Sequence, residues 1–176
     1  FRRLFSEGTF NAAFVPSYSS LLVNKKTSEK FANNIFNLLV MGLFFLVLVI
    51  EIMMPLFVFL IAPGFDGDYQ KMELAITLTR ITFPFLMFIS LASFFSAILN
   101  SHNKFAIASA APIILNIFLI GVLLLGKILN DHLVYYLSYA VTISGIFQFI
   151  FLYLFVKKYF SPRVSLSFKI NNKIKE

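Results

Sequence analysis

The side chains able to do chemistry in this sequence are few and widely spaced. The first group is Arg2, Arg3 and Glu7. If this stretch is helical, Arg3 and Glu7 stand at i and i+4 on one face, and Asn11 continues that face. Arg2 lies about 100° round the helix, above Ser6 and Thr9. Arg3 then has an acidic partner within reach, while Arg2 meets only hydroxyls. A guanidinium without a partner in an apolar setting seeks an anion, and its planar fork suits a phosphate or a carboxylate. Arg2 is therefore the better anion-binding candidate. The alternative is that both arginines snorkel to a membrane interface.

Glu51 and Arg80 form a second group, each alone in a long apolar run. If the two runs are antiparallel helices, both charges lie about 15 Å in from the same end. A charge at that depth costs several kcal/mol unless it is paired, so a Glu51–Arg80 ion pair is one reading. The other is that either residue faces a watery cavity. Asn116 and Gln148 are further polar residues inside apolar runs, and such residues more often join helices than bind substrate. His102 and His132 are far apart in sequence, which gives no metal site. There is no Cys, no Gly-rich phosphate loop and no nucleophile–base set, so neither a cofactor nor catalysis is expected.

The elements that must position these residues follow from composition. The 176-residue chain is 59% hydrophobic and only 13% charged, with 24 Phe and no Trp. Soluble domains carry about 25% charge, and a chain this short has too little interior to hide the excess. An ordinary soluble enzyme, a disordered tail and a disulfide scaffold are excluded. The chain starts Phe1-Arg2-Arg3 without a leading Met or a signal peptide, the expected appearance of an internal stretch of a longer protein.

Four apolar runs are each long enough to cross a bilayer core of about 30 Å. None alternates polar with apolar residues, so they are helices and not strands. The predicted fold is all-α, a polytopic transmembrane helix bundle. Its expected helices are about 1–23, 35–62, 72–99, 105–129 and 133–158, followed by a basic tail, 159–176. The first is the least apolar, carrying Ser6, Glu7, Thr9, Asn11 and Ser17 and interrupted by Gly8 and Pro16. Pro55, Pro84 and Pro112 sit inside three of the others, as static kinks or as flexible points used in gating.

Alternate loops lie on opposite sides of a membrane. The loop at 24–34, the turn at 100–104 and the stretch from 157 to 176 hold ten Lys and Arg residues, whereas the two intervening turns hold only Lys71 and Lys127. The basic loops are therefore expected in the cytoplasm. The net charge of +7 belongs to this asymmetry and not to nucleic-acid binding. The first helix then runs inward, which requires a helix upstream of Phe1.

FRRLFSEGTFNAAFVPSY, residues 1–18, resembles the second-helix signature of the MurJ/MviN lipid II flippases. Residues 81–117, ITFPFLMFISLASFFSAILNSHNKFAIASAAPIILNI, are similar to that family's fourth and fifth helices. APGF at 62–65 and AVTISGIFQ at 140–148 match in kind. The resemblance implies helices two to six of about fourteen, most of the N-terminal lobe of a two-lobe flippase in the bacterial cytoplasmic (inner) membrane. It implies lipid II as substrate, an undecaprenyl-pyrophosphate-linked disaccharide-pentapeptide. Membrane lipids and the remaining helices of the same chain would be its other partners. Arg2 maps onto a cavity cation thought to hold the pyrophosphate, Glu7 matches a motif position, and Arg3 carries over as a supporting residue. Arg80 falls where the family is basic, whereas Glu51 belongs to no motif. A drug or polysaccharide exporter of the same superfamily is the alternative. It would need carboxylates or a broad polar surface in place of a lone guanidinium.

Overall fold

The computed structural model describes residues 9–65, 67–129 and 132–163, with side chains for 12–65, 67–126 and 132–163. Arg2, Arg3 and Glu7 lie outside the described residues. Every regular element among the described residues is helical: α1 (Thr9–Leu21), α2 (Lys25–Ile52), α3 (Met54–Ile61), a single 3-10 turn (Pro63–Phe65), α4 (Tyr69–Thr82), α5 (Phe85–Ser101), α6 (Phe105–Leu129) and α7 (Leu133–Val156). Four segments are long and apolar enough to cross a membrane: Lys25–Ile52, Tyr69–Ser101, Phe105–Gly126 and Leu133–Val156.

Local chemistry sets the boundaries, and several differ from expectation. The basic stretch 24–34, expected as a loop, is already helix from Lys25. Asn24 caps it by accepting the Thr27 N–H at 3.3 Å, and Lys25 pairs with Glu29 one turn on at 3.9 Å. Asp68 caps α4 in the same way, accepting from Lys71 N–H at 3.1 Å and pairing with Lys71 Nζ at 2.7 Å. This interaction holds the Asp68 carboxyl below the usual carboxylate range. At the end of α5, Asn103 takes the left-handed conformation at φ 59°, and Lys104 N–H reaches back to Leu99 C=O at 2.9 Å. Asn tolerates that geometry better than most residues.

Two of the expected single helices are broken. The predicted 35–62 span divides at Met53, whose ψ of 15° leaves the helical path, and Pro55 sits in the first turn of α3. The predicted 72–99 span divides at Phe83–Pro84. Pro112, by contrast, lies inside an unbroken α6.

Packing centres on α5, which meets α1, α2, α6 and α7. Its buried residues Phe94, Phe95, Ile98 and Leu99 interlock with Phe14 and Tyr18 of α1, Phe36 of α2 and Phe160 beyond α7. The chain after α7 folds back over the same end, where Arg163 N–H donates to Asn33 Oδ1 at 2.7 Å. His102 stacks on Tyr159 at 4.4 Å between ring centroids and meets Tyr18 edge-on. The segments carrying Lys25, Lys26, Lys30, Lys104, Lys157 and Lys158 thus share one end of the bundle, called here the basic end. The turns around 62–68 and 132 lie at the other, acidic end.

Candidate functional site

Charges inside apolar helices are the strongest pointers to function or to a polar fastening. Among the described residues, Glu51 near the end of α2 and Arg80 near the end of α4 are such a pair. The structure brings them together, with Arg80 Nε 3.6 Å from Glu51 Oε2. Arg80 Nη2 also donates to the Glu51 backbone carbonyl at 3.5 Å. The Arg80 side chain is 51% exposed and that of Glu51 24%, so the pair lies at the edge of the packed helices and not in their core.

The second contact has a local cause. A helical residue donates its N–H to the carbonyl four residues back, and proline has no N–H to give. The residue four beyond Glu51 is Pro55, so the carbonyl that Arg80 reaches is the one that proline leaves without its helical donor. The same spacing recurs in α4, where Pro84 lies four residues beyond Arg80. There the neighbouring carbonyl, of Ile81, accepts the Thr142 hydroxyl of α7. A side chain from another helix thus donates to the freed carbonyl at the first break and to the carbonyl beside the freed one at the second, the kind of support that proline breaks at membrane depth call for. The links run in series, α2/α3 to α4 through Arg80, and α4/α5 to α7 through Thr142.

One turn beyond Thr142, α7 presents Gly145 to the start of α5. A Cβ there would meet the Phe85 ring at 2.6 Å and Phe88 Cβ at 3.3 Å. The missing side chain leaves room for the Phe85 ring against α7, and small residues are a common device in membrane helix packing. The paired prolines were visible in the sequence through their i+4 spacing from Glu51 and Arg80. Thr142 was not, because a lone Thr in an apolar run carries no signal of its distant partner.

Of the two residues expected to join helices, Gln148 is buried at the junction of α5, α6 and α7. Asn116 is instead exposed on α6, because that helix shows most of its surface outward. His102 and His132 belong to opposite ends, and no group of His, Asp or Glu suited to a metal occurs among the described residues. Burial holds the His102 imidazole below its ordinary pKa.

The family model described as lipid II flippase MurJ matches residues 1–176. A probable lipid II flippase MurJ from Rickettsia prowazekii is 38% identical over 160 residues, covering 90% of this chain and 31% of the relative. The corresponding Rhizobium tropici protein is 38% identical over 163 residues, 89% and 31% of the two chains. A lipid II flippase MurJ from Burkholderia cenocepacia is 33% identical over 154 residues, 85% and 29%. The chain thus spans about three-tenths of the length of these relatives.

Proposed function

From the premise that this multi-pass membrane chain belongs to the MurJ family of lipid II flippases, we propose that it forms part of the N-terminal lobe of a protein that flips lipid II from the cytoplasmic to the outer leaflet. The observation that carries this reading is the family match over the whole chain. A drug or polysaccharide exporter is not favoured, since the curated relatives carry the flippase name.

The costly part of such a substrate is its charged head group, which hydrocarbon cannot solvate. A polar cavity opened alternately to the two sides removes that cost, with two lobes rocking about a fixed site. No covalent bond changes, so no acid or base is required. In this reading Arg2 supplies charge-assisted hydrogen bonds to the pyrophosphate, and Arg3 with Glu7 supports it. The basic end faces the cytoplasm of a bacterial inner membrane, in keeping with the clustering of basic segments there.

Complementation tests the reading. Cells depleted of their own lipid II flippase receive the full-length gene as wild type, Arg2→Ala or Arg3→Ala, with membrane expression checked for each. Wild type should restore growth, Arg2→Ala should not, and Arg3→Ala should do so partially. Growth with all three would remove Arg2 from the site, and failure of a well-expressed wild type would remove lipid II as substrate.

A further inference from the structure

A cavity of about 270 Å³ lies between α5, α6 and α7. Ser93, Ser96 and Asn100 line it from α5, Ser109 from α6 and Gln148 from α7. The spacing 93, 96, 100 puts the three α5 residues on one helix face. Phe94, Phe95 and Ile98 pack α5 elsewhere, against the aromatic core it shares with α1 and α2. The cavity is therefore separated by the body of α5 from the helix that follows Arg2 and Arg3.

Two features call for hydrogen-bonding partners inside it. Gln148 is 1% exposed, and its Nε2 has no partner among the described residues. Pro112 and Ala108 both line the cavity, and Pro112 cannot donate to the Ala108 carbonyl four residues back. Groups like these are not left bare at membrane depth. No lining residue is ionisable, so nothing here selects an anion or an organic cation. The volume has room for several waters, and hydroxyls, an amide and a carbonyl are what buried water binds. Asn100 and Ser109 lie within about a turn of the basic ends of their helices. Ser93 and Gln148 lie about 12 Å in from the basic ends of their helices, reckoned at about 1.5 Å per residue.

We propose that this cavity is a water-binding vestibule, continuous with the aqueous phase at the basic end and reaching to Gln148. Water there supplies the hydrogen bond that Pro112 withholds, which lets α6 run unbroken through its proline. This inference does not rest on the identity of the transported lipid.

The test uses the full-length protein in membrane vesicles of both orientations. The 176 residues contain no Cys, and any thiol elsewhere in the protein is first replaced. Ser96→Cys, a near-isosteric change, is compared with Ile120→Cys on the outward face of α6, where Ile120 is exposed. A charged, membrane-impermeant methanethiosulfonate should label Ser96→Cys at least ten-fold faster than Ile120→Cys, and only from the side that the basic end faces. Adding Gln148→Leu, which removes the innermost polar group, should slow that labelling several-fold. Equal rates at the two positions, or labelling of Ser96→Cys by an apolar maleimide alone, would mean a groove filled by lipid and would overturn the proposal. Labelling from the acidic side alone would place the mouth at the wrong end and overturn it equally.

Discussion

At the basic end, Phe14 meets Phe94 at 5.2 Å, Phe36 meets Phe95 at 5.7 Å and Phe94 meets Phe160 at 6.0 Å, all from rings almost wholly buried. At the acidic end, α3 and the start of α4 show Leu60, Ile61 and Tyr69 outward, and the fastening is a guanidinium on a carboxylate and a carbonyl. The first arrangement spreads its attraction over many weak contacts, so no one contact decides whether it holds. The second concentrates it in a few directional bonds beside two proline breaks, and a single substitution can remove them. Within one small bundle, one end is an interlocked aromatic cluster and the other is fastened by a few directional bonds.

Three substitutions would break or sharpen that contrast. The largest effect is expected from Phe94→Ala, which empties the centre of the aromatic cluster. Large-to-small changes of this kind cost about 3–5 kcal/mol in close-packed cores. The full-length protein in detergent should show it as a clear loss of thermal stability, and a shift indistinguishable from wild type would mean that the aromatic cluster is not what holds the basic end. Arg80→Gln is expected to cost less, about 1–3 kcal/mol, the scale of hydrogen bonds to a charged group. Its effect should be local, raising protease or thiol accessibility near Met53 and Phe83 while leaving the basic end protected. Uniform loosening of both ends would contradict the division.

The smallest effect concerns His102. Burial favours its neutral form, so its folded pKa lies below the ordinary value of about 6.5. The unfolded chain then binds the proton more readily. The stabilisation is complete above about pH 6.5 and is lost as pH falls from there through the lowered folded value. His102→Phe keeps a ring against Tyr159 and removes the titration. Melting temperatures at pH 8 and pH 5.5 should differ less for this variant than for wild type, and an unchanged difference would assign the pH response to other groups.

Much of this architecture was legible in the sequence. The four apolar runs set the spanning segments, because length and hydropathy are local properties. The antiparallel placement of Glu51 and Arg80 followed from their distances to the helix ends. The first turns of α2 were not legible, because KKTSEKFANN reads as a polar loop. The stripe Ser28, Ala32 and Phe36, buried at helical spacing, is the trace that this helix leaves in the sequence. The proline breaks were only half legible. Pro55 and Pro84 stand at helix breaks whereas Pro112 does not; Arg80 and Thr142 reach carbonyls at or next to the breaks, and a polar cavity adjoins Pro112. Those partners are remote in sequence, so only the fold reveals them. The anion-binding candidates Arg2, Arg3 and Glu7 stand on sequence and family resemblance alone.

The claim that one arginine closes the break made by one proline is tested most directly by a double-mutant cycle. Stability is measured for wild-type full-length protein, Arg80→Gln, Pro55→Ala and the double variant. Pro55→Ala restores the N–H that the Glu51 carbonyl lacks. The account predicts that Arg80→Gln is distinctly less damaging in the Pro55→Ala background, with a coupling of about 1 kcal/mol. Strict additivity of the two substitutions would contradict it and leave Arg80 as a charge partner of Glu51 and nothing more.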